Sequence, residues 1–315
     1  MDAPCFLGVD GGGTKTRFVL IDASGKVLAE AQLGTTDVTQ VGVEGAVRVL
    51  GEGIAQVVTQ AGVDRAGIAH AFFGLPCHGE DGGVDQQLDA IPGELLGHDR
   101  YACGNDMVCG WAGSLACADG INIVAGTGSI GYGQYQGRAA RVGGWGEVFS
   151  DEGSAYWIAV RGLNAYSRMS DGRLPKGPLH AVFNRALGLQ RDLDLCARIN
   201  GAGGLARGEL AQLSRLVSEA AAAGDAVALA IFSDAARELA AIALALHREL
   251  RFPAGTPVPL SWSGGAFSAG ELLLQPFREA LARADAGFVP TAPKHPPHYG
   301  AALYAARLAG VSIPA

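Results

Sequence analysis

The opening of the chain alternates between short apolar runs and polar turns, a pattern that predicts strands rather than helices. Each run has the length of a strand, and a polar turn at 22–25 separates the second run from the third. Three consecutive glycines at 11–13 separate the first run from the second. The pattern therefore predicts three consecutive strands, at 6–9, 17–21 and 27–33.

The glycine loop joins two strands, and this context excludes two common nucleotide motifs. A dinucleotide fingerprint and a Walker-type loop both need a helix directly after the glycines, with its N-terminus facing phosphate. Glycines can instead direct successive backbone N–H groups to one side and form an anion site. Asp10, at the end of the first strand, could hold a metal ion beside them. An ordinary glycine-rich hairpin turn is the alternative.

The same order of features appears a second time in the middle of the chain. An apolar, β-branched run at 121–125 leads into the sequence GTGS, and an extended pattern resumes at 130–135 before a turn and a third run. Two such hairpins in sequential domains could each hold part of one polyphosphate. The repeat predicts two domains, with a boundary near 118–121.

Most of the remaining chain has apolar residues at helical spacing. Near the end, a strand leads into the glycine pair 264–265, where a flat ring or a ribose could lie against bare backbone. Further strands are expected at 69–75 and 101–104, and helices at 43–62, 86–96 with an interruption at Pro92, from about 105, 154–169, 205–223, 225–250, from about 270, and from 298.

Composition and charge describe a well-buried globular protein. Of 315 residues, 49% are apolar and 17% charged, which excludes a disordered chain. The net charge of −7 and the scattered Lys and Arg residues argue against nucleic acid or an anionic membrane as a partner. No apolar run reaches the ~20 residues of a membrane span, and the start of the chain lacks a basic signal region. We therefore expect a cytoplasmic protein.

The six cysteines do not form a recognisable metal site. None of them makes a C-x-x-C pair, and no histidine pair lies beside them at zinc-binding spacing. Reduced, mostly buried thiols are the simpler interpretation and agree with a cytoplasmic protein.

Five motifs carry a family resemblance that extends over essentially the whole chain. The sequences GVDGGGTKT, GTGS and SGGAF, in this order, resemble those of ATPases of the sugar kinase, heat-shock protein and actin superfamily. Two longer stretches, GNDMVCGWAG at 104–113 and GGWGEVFSDEGSAYWI at 143–158, narrow the resemblance. With them, the chain closely resembles N-acetylglucosamine kinases of the BadF/BadG/BcrA/BcrD ATPase group.

The resemblance implies an α/β fold of two duplicated ribonuclease H-like domains, as in actin and hexokinase, with mixed sheets around an ATP cleft. One domain would span 1–118, and the final helix, 297–310, would pack back on it. The other domain would span 119–296 and bind ATP.

The resemblance also implies a reaction: transfer of the γ-phosphate of ATP to a hexose hydroxyl, expected to be O6, with Mg²⁺ as cofactor. Asp10 would lie near Mg²⁺, and Asp106 would be the catalytic base. The residues implied at the nucleotide are Gly12, Gly13, Thr14, Lys15, Thr127, Gly128, Ala221, Gly264 and Gly265. The residues implied at the sugar are Asp37, Asp106, Ser129, Gly144, Trp145, Gly146 and Asp151.

Several of these residues have alternative roles. Asp106 follows a strand and opens a helix, so it could either project into a cleft as the base or cap the helix. Asp151 could accept two neighbouring sugar hydroxyls, or cap the helix that starts near 154, or do both. Trp145 could stack on a pyranose or anchor the core. Ser129 could contact the sugar or the γ-phosphate.

Two positions depart from the pattern of these kinases. Asp37 stands where they typically carry asparagine, and an ionised aspartate only accepts hydrogen bonds. Asp37 would then favour a substrate with a donor-rich or cationic region near C2 or C3, such as glucosamine, or it would simply accept a sugar hydroxyl. Ile130 stands where animal enzymes have asparagine after GTGS, which leaves recognition of the N-acetyl group open.

Other functions stay open on the sequence alone. The kinase could be specific for glucosamine or for N-acetylmuramate. Activators of radical dehydratases share the fold, but the cysteine they carry before the second glycine loop is absent here. An actin-like assembly ATPase has both hairpins but does not need the 143–158 segment. The expected partner is a small amino sugar, and the family resemblance allows a homodimer.

Overall fold

The computed structural model describes residues 4–314. The chain divides into two compact units, and each has its own five-stranded sheet. The first unit comprises the described residues up to Asn122 together with those from Thr291 onwards, and the second spans Ile123–Pro290. The strands are β1 Cys5–Gly11, β2 Thr16–Asp22, β3 Val27–Leu33, β4 Ile68–Leu75, β5 Tyr101–Asn105, β6 Gly120–Ala125, β7 Ser129–Tyr135, β8 Arg138–Gly143, β9 Val258–Ser263 and β10 Phe288–Pro290.

Helices supply most of the remaining structure. Two short 3-10 turns, Arg65–Gly67 and Gly265–Ala269, accompany them. The helices are α1 Val38–Ala61, α2 Gly82–Leu96, α3 Met107–Leu115, α4 Ala155–Ser170, α5 Pro178–Leu187, α6 Asp194–Asn200, α7 Arg207–Gln212, α8 Ser214–Ala222, α9 Ala226–Leu250, α10 Glu271–Arg283 and α11 Pro297–Leu308.

The two sheets have the same strand order. The first has the order β3-β2-β1-β4-β5, and the second has the order β8-β7-β6-β9-β10, so each strand of one sheet has a counterpart five strands later in the other. In the first sheet β1, β2 and β3 form an antiparallel meander, whereas β4 and β5 run parallel to β1. This match is the structural form of the repeat in the sequence, and the two glycine loops occupy the same place in it, between the first two strands.

Parallel strands set the position of the candidate site in the first unit. Because β1, β4 and β5 run in one direction, their carboxyl ends meet at one edge of the sheet. Helix α1 covers part of this sheet. Its residues Ala46, Leu50, Ile54 and Val57 recur at helical spacing and are fully buried.

Helix α11 belongs to the first unit although it lies at the far end of the chain. It packs against α3, β1 and β4. Glycines allow this close approach, because a Cβ at Gly8 would meet the backbone of α11 and a Cβ at Gly300 would meet the backbone of Gly113. The helix contributes a row of buried small residues, Ala301, Ala302, Ala305 and Ala306.

Two helix predictions were wrong. Pro92 does not interrupt α2, since the carbonyls of Leu88 and Asp89 find partners in β5: the thiol of Cys103, at 4.0 Å, and the hydroxyl of Tyr101, at 2.8 Å. Pro92 removes one helical hydrogen bond, and the neighbouring strand compensates for the carbonyl it leaves.

The helix expected at 205–223 is two helices, α7 and α8. At the junction the N–H of Leu213 donates to the carbonyl of Leu210, and the N–H of Leu216 donates to the carbonyl of Leu213. These bonds between residues three apart tighten the turn, and the Leu213 side chain is buried there.

Helices α5, α6 and strand β10 were missed. For α5 a signal was present, because Pro178 occupies the first turn and Gly188 ends the helix in a left-handed conformation, with φ +65°.

Candidate active site

Asp10 and Asp106 lie at the carboxyl edge of the first sheet. Asp10 is at the end of β1 and pairs in register with Gly74 of β4, while Asp106 directly follows β5. Gly74 allows the two aspartates to approach, since a Cβ there would lie 3.2 Å from the Cα of Asp106 and would clash with the sulfur of Cys109. Asp10 and Asp106 thus flank a residue that has no side chain.

Burial and the nearby charge of Asp106 both raise the pKa of Asp10. Removal of the carboxyl group from water, followed by the negative charge of Asp106, raises the pKa of Asp10 to about 7. The cations Arg17 and Lys15 act in the opposite direction and lower this pKa. A site of this kind favours an additional cation, because a cation would relieve the repulsion between the two carboxylates.

Asp106 occupies the position that precedes α3, but its side chain does not cap the helix. Its carbonyl oxygen accepts the N–H groups of Cys109, at 3.0 Å, and Gly110, at 3.3 Å, whereas its carboxylate makes no capping hydrogen bond. The adjacent Asn105 acts there instead, because its Oδ1 accepts the N–H of Met107 at 3.1 Å. Capping therefore does not account for the aspartate at this position.

Side chains bind the carbonyl groups of the first glycine loop. The N–H of Gly12 donates to the carbonyl of Lys15 at 2.9 Å, which closes the turn. Thr35 donates its hydroxyl to the carbonyl of Gly12 at 2.7 Å, and Gln40 donates its amide to the carbonyl of Gly13 at 2.9 Å. These bonds fix the carbonyls of the loop, and its residues Gly13, Thr14 and Lys15 are exposed.

Asp37 begins α1 and is engaged by its own helix. Its Oδ1 accepts the N–H and the hydroxyl of Thr39, at 2.9 and 2.6 Å, and its Oδ2 accepts the amide of Gln40 at 2.7 Å. Gln40 therefore links Asp37 to the first glycine loop. The predicted sugar contact is thus also a helix cap, a role that asparagine fills equally well.

Cys77 interacts with both Asp37 and Asp106. Its thiol donates to Asp37 at 3.8 Å, and its backbone is left-handed, with φ +63°. Burial, and then the negative charges of Asp37, Glu80 and Asp106, raise the pKa of Cys77 to about 12. The thiol is therefore protonated at neutral pH, and both predicted sugar-binding aspartates are close enough to Cys77 to raise its pKa.

The second glycine loop is fixed by the segment that precedes α4. The N–H of Gly126 donates to the carbonyl of Gly128 at 2.8 Å, and the N–H of Ala155 donates to the carbonyl of Gly126 at 2.9 Å. Ser129 is buried and donates its hydroxyl to the carbonyl of Glu152 at 2.7 Å. Thr127 and Gly128 remain partly exposed at the tip of the loop.

The glycine pair after β9 lies against the same loop. Gly264 has φ +100°, and a Cβ at this position would lie 2.5 Å from the carbonyl group of Ala125 and 2.7 Å from the nitrogen of Gly126. Gly264 is therefore brought together with the second glycine loop, as a shared nucleotide site requires, and Gly265 follows it at the start of a 3-10 turn. Ala221 is buried in α8, with 3% of its surface exposed, and no described contact brings it to this loop.

Asp151 lies beneath the second glycine loop and is paired with an arginine that the sequence analysis missed. Its carboxylate is buried, and Arg207 at the start of α7 contacts Oδ2 at 2.5 Å. Burial raises the pKa of Asp151, and Arg207 opposes this shift most strongly. The backbone of Asp151 is left-handed, with φ +60°. No sequence motif marks Arg207, since it lies 56 positions away from its partner.

The glycine–tryptophan turn lies next to Ile130. Gly144 has φ +73°, and a Cβ there would lie 2.7 Å from Cδ1 of Ile130, so the departure from the family pattern is in direct contact with the predicted sugar-lining turn. Gly146 accepts the N–H of Ser150 at 2.9 Å. Trp145 is 74% exposed, so it is not a core anchor. Its exposure leaves the ring available for contact with a ligand.

A profile of the BadF/BadG/BcrA/BcrD ATPase family matches residues 7–305. The chain belongs to this family. Membership implies use of ATP, and the two glycine loops described above are the elements of this family member that could hold its phosphates.

Two curated relatives of this family member are kinases. It is 32% identical to the N-acetylmuramic acid/N-acetylglucosamine kinase of Clostridium acetobutylicum, over 87% of this chain and 89% of the relative. It is 30% identical to the N-acetyl-D-glucosamine kinase of Dictyostelium discoideum, over 84% of this chain and 86% of the relative.

Solved structures confirm the predicted fold class. A Chromobacterium violaceum protein, provisionally assigned as an N-acetylglucosamine kinase, superposes with a TM-score of 0.73 at 26% identity and covers 96% of this chain and 99% of its own. A ROK family glucokinase from Streptomyces griseus shares the fold, with a TM-score of 0.59 at 20% identity, and covers 96% of this chain and 98% of its own.

Two further features are absent from residues 4–314. No group of three or more His, Cys, Asp or Glu side chains could hold a metal ion there. Mg²⁺ does not need such a group, because one or two carboxylates together with substrate phosphates usually bind it. The Asp10–Asp106 pair fits that requirement. In the same part of the chain, every helix is too short or too polar to cross a membrane.

Proposed function

We propose that this protein is an ATP-dependent amino-sugar kinase that phosphorylates N-acetylglucosamine at the 6-hydroxyl. The observation that carries the proposal is the similarity, over more than four-fifths of the chain, to two kinases whose names share N-acetylglucosamine as substrate. The carboxylate pair at the edge of the first sheet and the two fixed glycine loops supply the chemical groups that phosphoryl transfer requires.

Asp106 is proposed as the general base. Its carboxylate makes no capping hydrogen bond to α3, and at the sheet edge beside Asp10 it would orient the acceptor hydroxyl and receive its proton. In a loose transition state the proton leaves late, and orientation of the hydroxyl then matters more than basicity.

Asp10 is proposed to bind Mg²⁺ together with the nucleotide phosphates. Its buried position beside Asp106 supports this role, because a divalent cation would compensate two carboxylates that otherwise repel each other. When bound, Mg²⁺ would neutralise negative charge on the phosphates. Lys15, in the first glycine loop, and the backbone N–H groups of that loop would hold phosphate oxygens.

The nucleotide is proposed to contact both glycine loops and the Gly264–Gly265 pair. The close packing of Gly264 on Ala125 and Gly126 supports a shared site for nucleoside and phosphates in the second unit. Ala221 is the weakest member of the predicted set, because its side chain is buried in α8.

The proposed sugar contacts are Asp37 and Asp106 in the first unit, and Ser129, the turn at 144–146 and Asp151 in the second. For Asp151, a direct contact requires that the sugar approach a carboxylate which Arg207 covers. Ile130 places an apolar side chain beside Gly144, where an N-acetyl methyl group could pack.

One panel of acceptors tests this proposal. ADP release is measured in a coupled assay with N-acetylglucosamine, glucosamine, glucose, N-acetylmuramic acid and N-acetylmannosamine. We expect the highest kcat/KM with N-acetylglucosamine and a product phosphate on O6 by NMR. Hydrolysis of ATP that no sugar stimulates would refute the kinase proposal and favour an assembly ATPase.

A second substrate, N-acetylmuramic acid, is favoured by one observation, the double name of the Clostridium relative. This sugar carries a carboxylate on its C3 substituent, so its phosphorylation would require that Asp37 not repel it. The same panel separates the two substrates. Comparable kcat/KM values for both sugars would extend the proposal, whereas activity with N-acetylglucosamine alone would restrict it.

A further inference from the structure

Arg207 is placed against the second glycine loop by two carboxylates. Its Nε contacts Glu147 at 3.1 Å, and its Nη2 contacts Asp151 at 2.5 Å. The same Nη2 would lie 3.1 Å from a Cβ on Gly128, so the guanidinium lies directly beside the loop backbone. All of these residues belong to the second unit.

We propose that Arg207 donates hydrogen bonds to the phosphoryl group that is transferred. The inference rests on the proposed kinase function and on the role of the second glycine loop as a phosphate site. Arg207 would then be a catalytic residue that the motifs of this sequence do not reveal.

The charge around the second glycine loop supports this role. Asp151 lies beside it, Glu147 is close enough to raise the pKa of Asp151, and Ser129 attaches the loop to the backbone of Glu152. Acidic groups so close to a phosphate would repel it in a site of low dielectric. Arg207 is the cation that the described contacts bring to this loop, and it offsets that repulsion.

The geometry of the guanidinium also supports the role. The two ion pairs use two of its five N–H donors, and a planar guanidinium can bind a carboxylate along one edge and a phosphate along another. The Arg207 side chain is 43% exposed, whereas that of Asp151 is 3% exposed. The arginine is therefore held by a buried carboxylate, while a large part of its own side-chain surface remains accessible to a ligand.

The two carboxylates would fix the arginine before the substrate arrives. A donor that is already oriented needs no reorganisation during the reaction, which is the condition for strong electrostatic stabilisation of a transition state. The left-handed backbone of Asp151 is consistent with such a constraint, because strained conformations of this kind are concentrated at functional sites.

The first experiment replaces the arginine. We expect Arg207→Gln to lower kcat by about 100-fold or more, as removal of one transition-state donor does in other enzymes, with a change of less than about threefold in the Kd of AMP-PNP. Arg207→Lys keeps the positive charge, so this variant guards against a result caused only by misfolding. We expect it to lower kcat by more than about tenfold, because an amine cannot reproduce the planar fork of the guanidinium.

The matched control is Arg185→Gln. Arg185 lies on α5 in the same unit and also forms an ion pair, with Glu219, but no described contact links it to the glycine loop. We expect its kcat to stay within about twofold of the wild type. If Arg207→Gln and Arg207→Lys behave like this control, the inference is wrong.

The second experiment measures binding rather than turnover. Isothermal titration with ADP and aluminium fluoride, in the presence of sugar and Mg²⁺, reports affinity for a mimic of the transferred group. We expect Arg207→Gln to weaken this mimic by the same factor as kcat and to leave binding of ADP alone unchanged. Equal weakening of the mimic and of ADP alone would overturn the inference.

The third experiment separates contact with phosphate from simple neutralisation of Asp151. We expect Arg207→Gln to lower kcat by a further factor of about 30 or more when it is added to Asp151→Asn, because the phosphoryl contact is lost in either background. No further loss in the Asp151→Asn background would show that Arg207 acts only through Asp151.

These outcomes distinguish the two proposals from each other. If the wild-type protein phosphorylates no sugar in the acceptor panel, the proposed function fails, and the role of Arg207 fails with it. If the wild type is active and both Arg207 variants keep near-normal kcat, only the inference about Arg207 fails.

Discussion

At the scale of single residues, Asp106 offers the most direct test. We predict that Asp106→Asn lowers kcat by about 10²- to 10⁴-fold, the usual contribution of a general base, because the amide cannot accept the hydroxyl proton. Binding of AMP-PNP and sugar should change little, since the side chain keeps its size and caps no helix. Single-turnover kinetics and isothermal titration measure the two effects.

The control for this variant is Asp171→Asn. Asp171 is an exposed aspartate that pairs with Arg173 at the end of α4. The kcat of Asp171→Asn should equal that of the wild type. Near-normal turnover of Asp106→Asn, relative to this control, would remove the aspartate from the role of base.

Asp37 separates a structural role from a substrate preference. Asparagine caps helices as well as aspartate does, but its NH2 group cannot accept the amide of Gln40, so we predict that Asp37→Asn lowers the free energy of unfolding by about 1 kcal/mol at most. Because both carboxylate oxygens are already bonded to Thr39 and Gln40, we also expect the ratio of kcat/KM for glucosamine and N-acetylglucosamine to stay within about twofold. A large fall in that ratio would instead support the charge hypothesis.

At the scale of elements, the contact of α11 with α3 depends on the absence of a side chain. In a helix interior, glycine to alanine normally stabilises by about 1 kcal/mol. At Gly300 a Cβ would meet the backbone of Gly113 and the carbonyl of Cys109. We predict that Gly300→Ala destabilises the protein by about 1–3 kcal/mol, because overpacking outweighs the gain in helix propensity. Urea unfolding measures the change.

Gly51→Ala is the matched control for this prediction. Gly51 lies inside α1, and the nearest atom to a Cβ there is Cδ2 of Leu95, at an ordinary contact distance of 3.4 Å. This variant should be neutral or slightly more stable than the wild type. A stabilised Gly300→Ala would show that α11 can shift away from α3 at no cost.

At the scale of the whole molecule, the first unit is assembled from both ends of the chain. A fragment of residues 1–122 lacks α11, whose buried side chains pack on β1, β4 and α3. We predict that this fragment does not unfold cooperatively, whereas a fusion of 1–122 to 291–315 through a flexible linker of roughly 20 residues does. Circular dichroism during thermal unfolding distinguishes the two. Cooperative unfolding of the shorter fragment would mean that α11 is dispensable.

The sequence predicted the repeated sheet and most of the elements correctly because these depend on local chemistry. Apolar runs of strand length, a glycine loop and a turn define the meander β1–β3, and the same signals recur in β6–β8. The kinase motifs predicted the fold class, which solved structures confirm. The helix break at Leu213 and the continuity of α2 through Pro92 were mispredicted, because packing against neighbouring elements decided both.

The sequence by itself determined the family, the repeated strand–glycine loop–strand pattern and the candidate carboxylates, since each is encoded in a few adjacent residues. Only the tertiary structure decided that Asp106 does not cap its helix and that Asp37 does. It alone brought Arg207 to Asp151, across 56 positions of the chain. The physical reason is that such contacts arise from the packing of helices and strands, and a distance in space has no counterpart in the local pattern of apolar and polar residues.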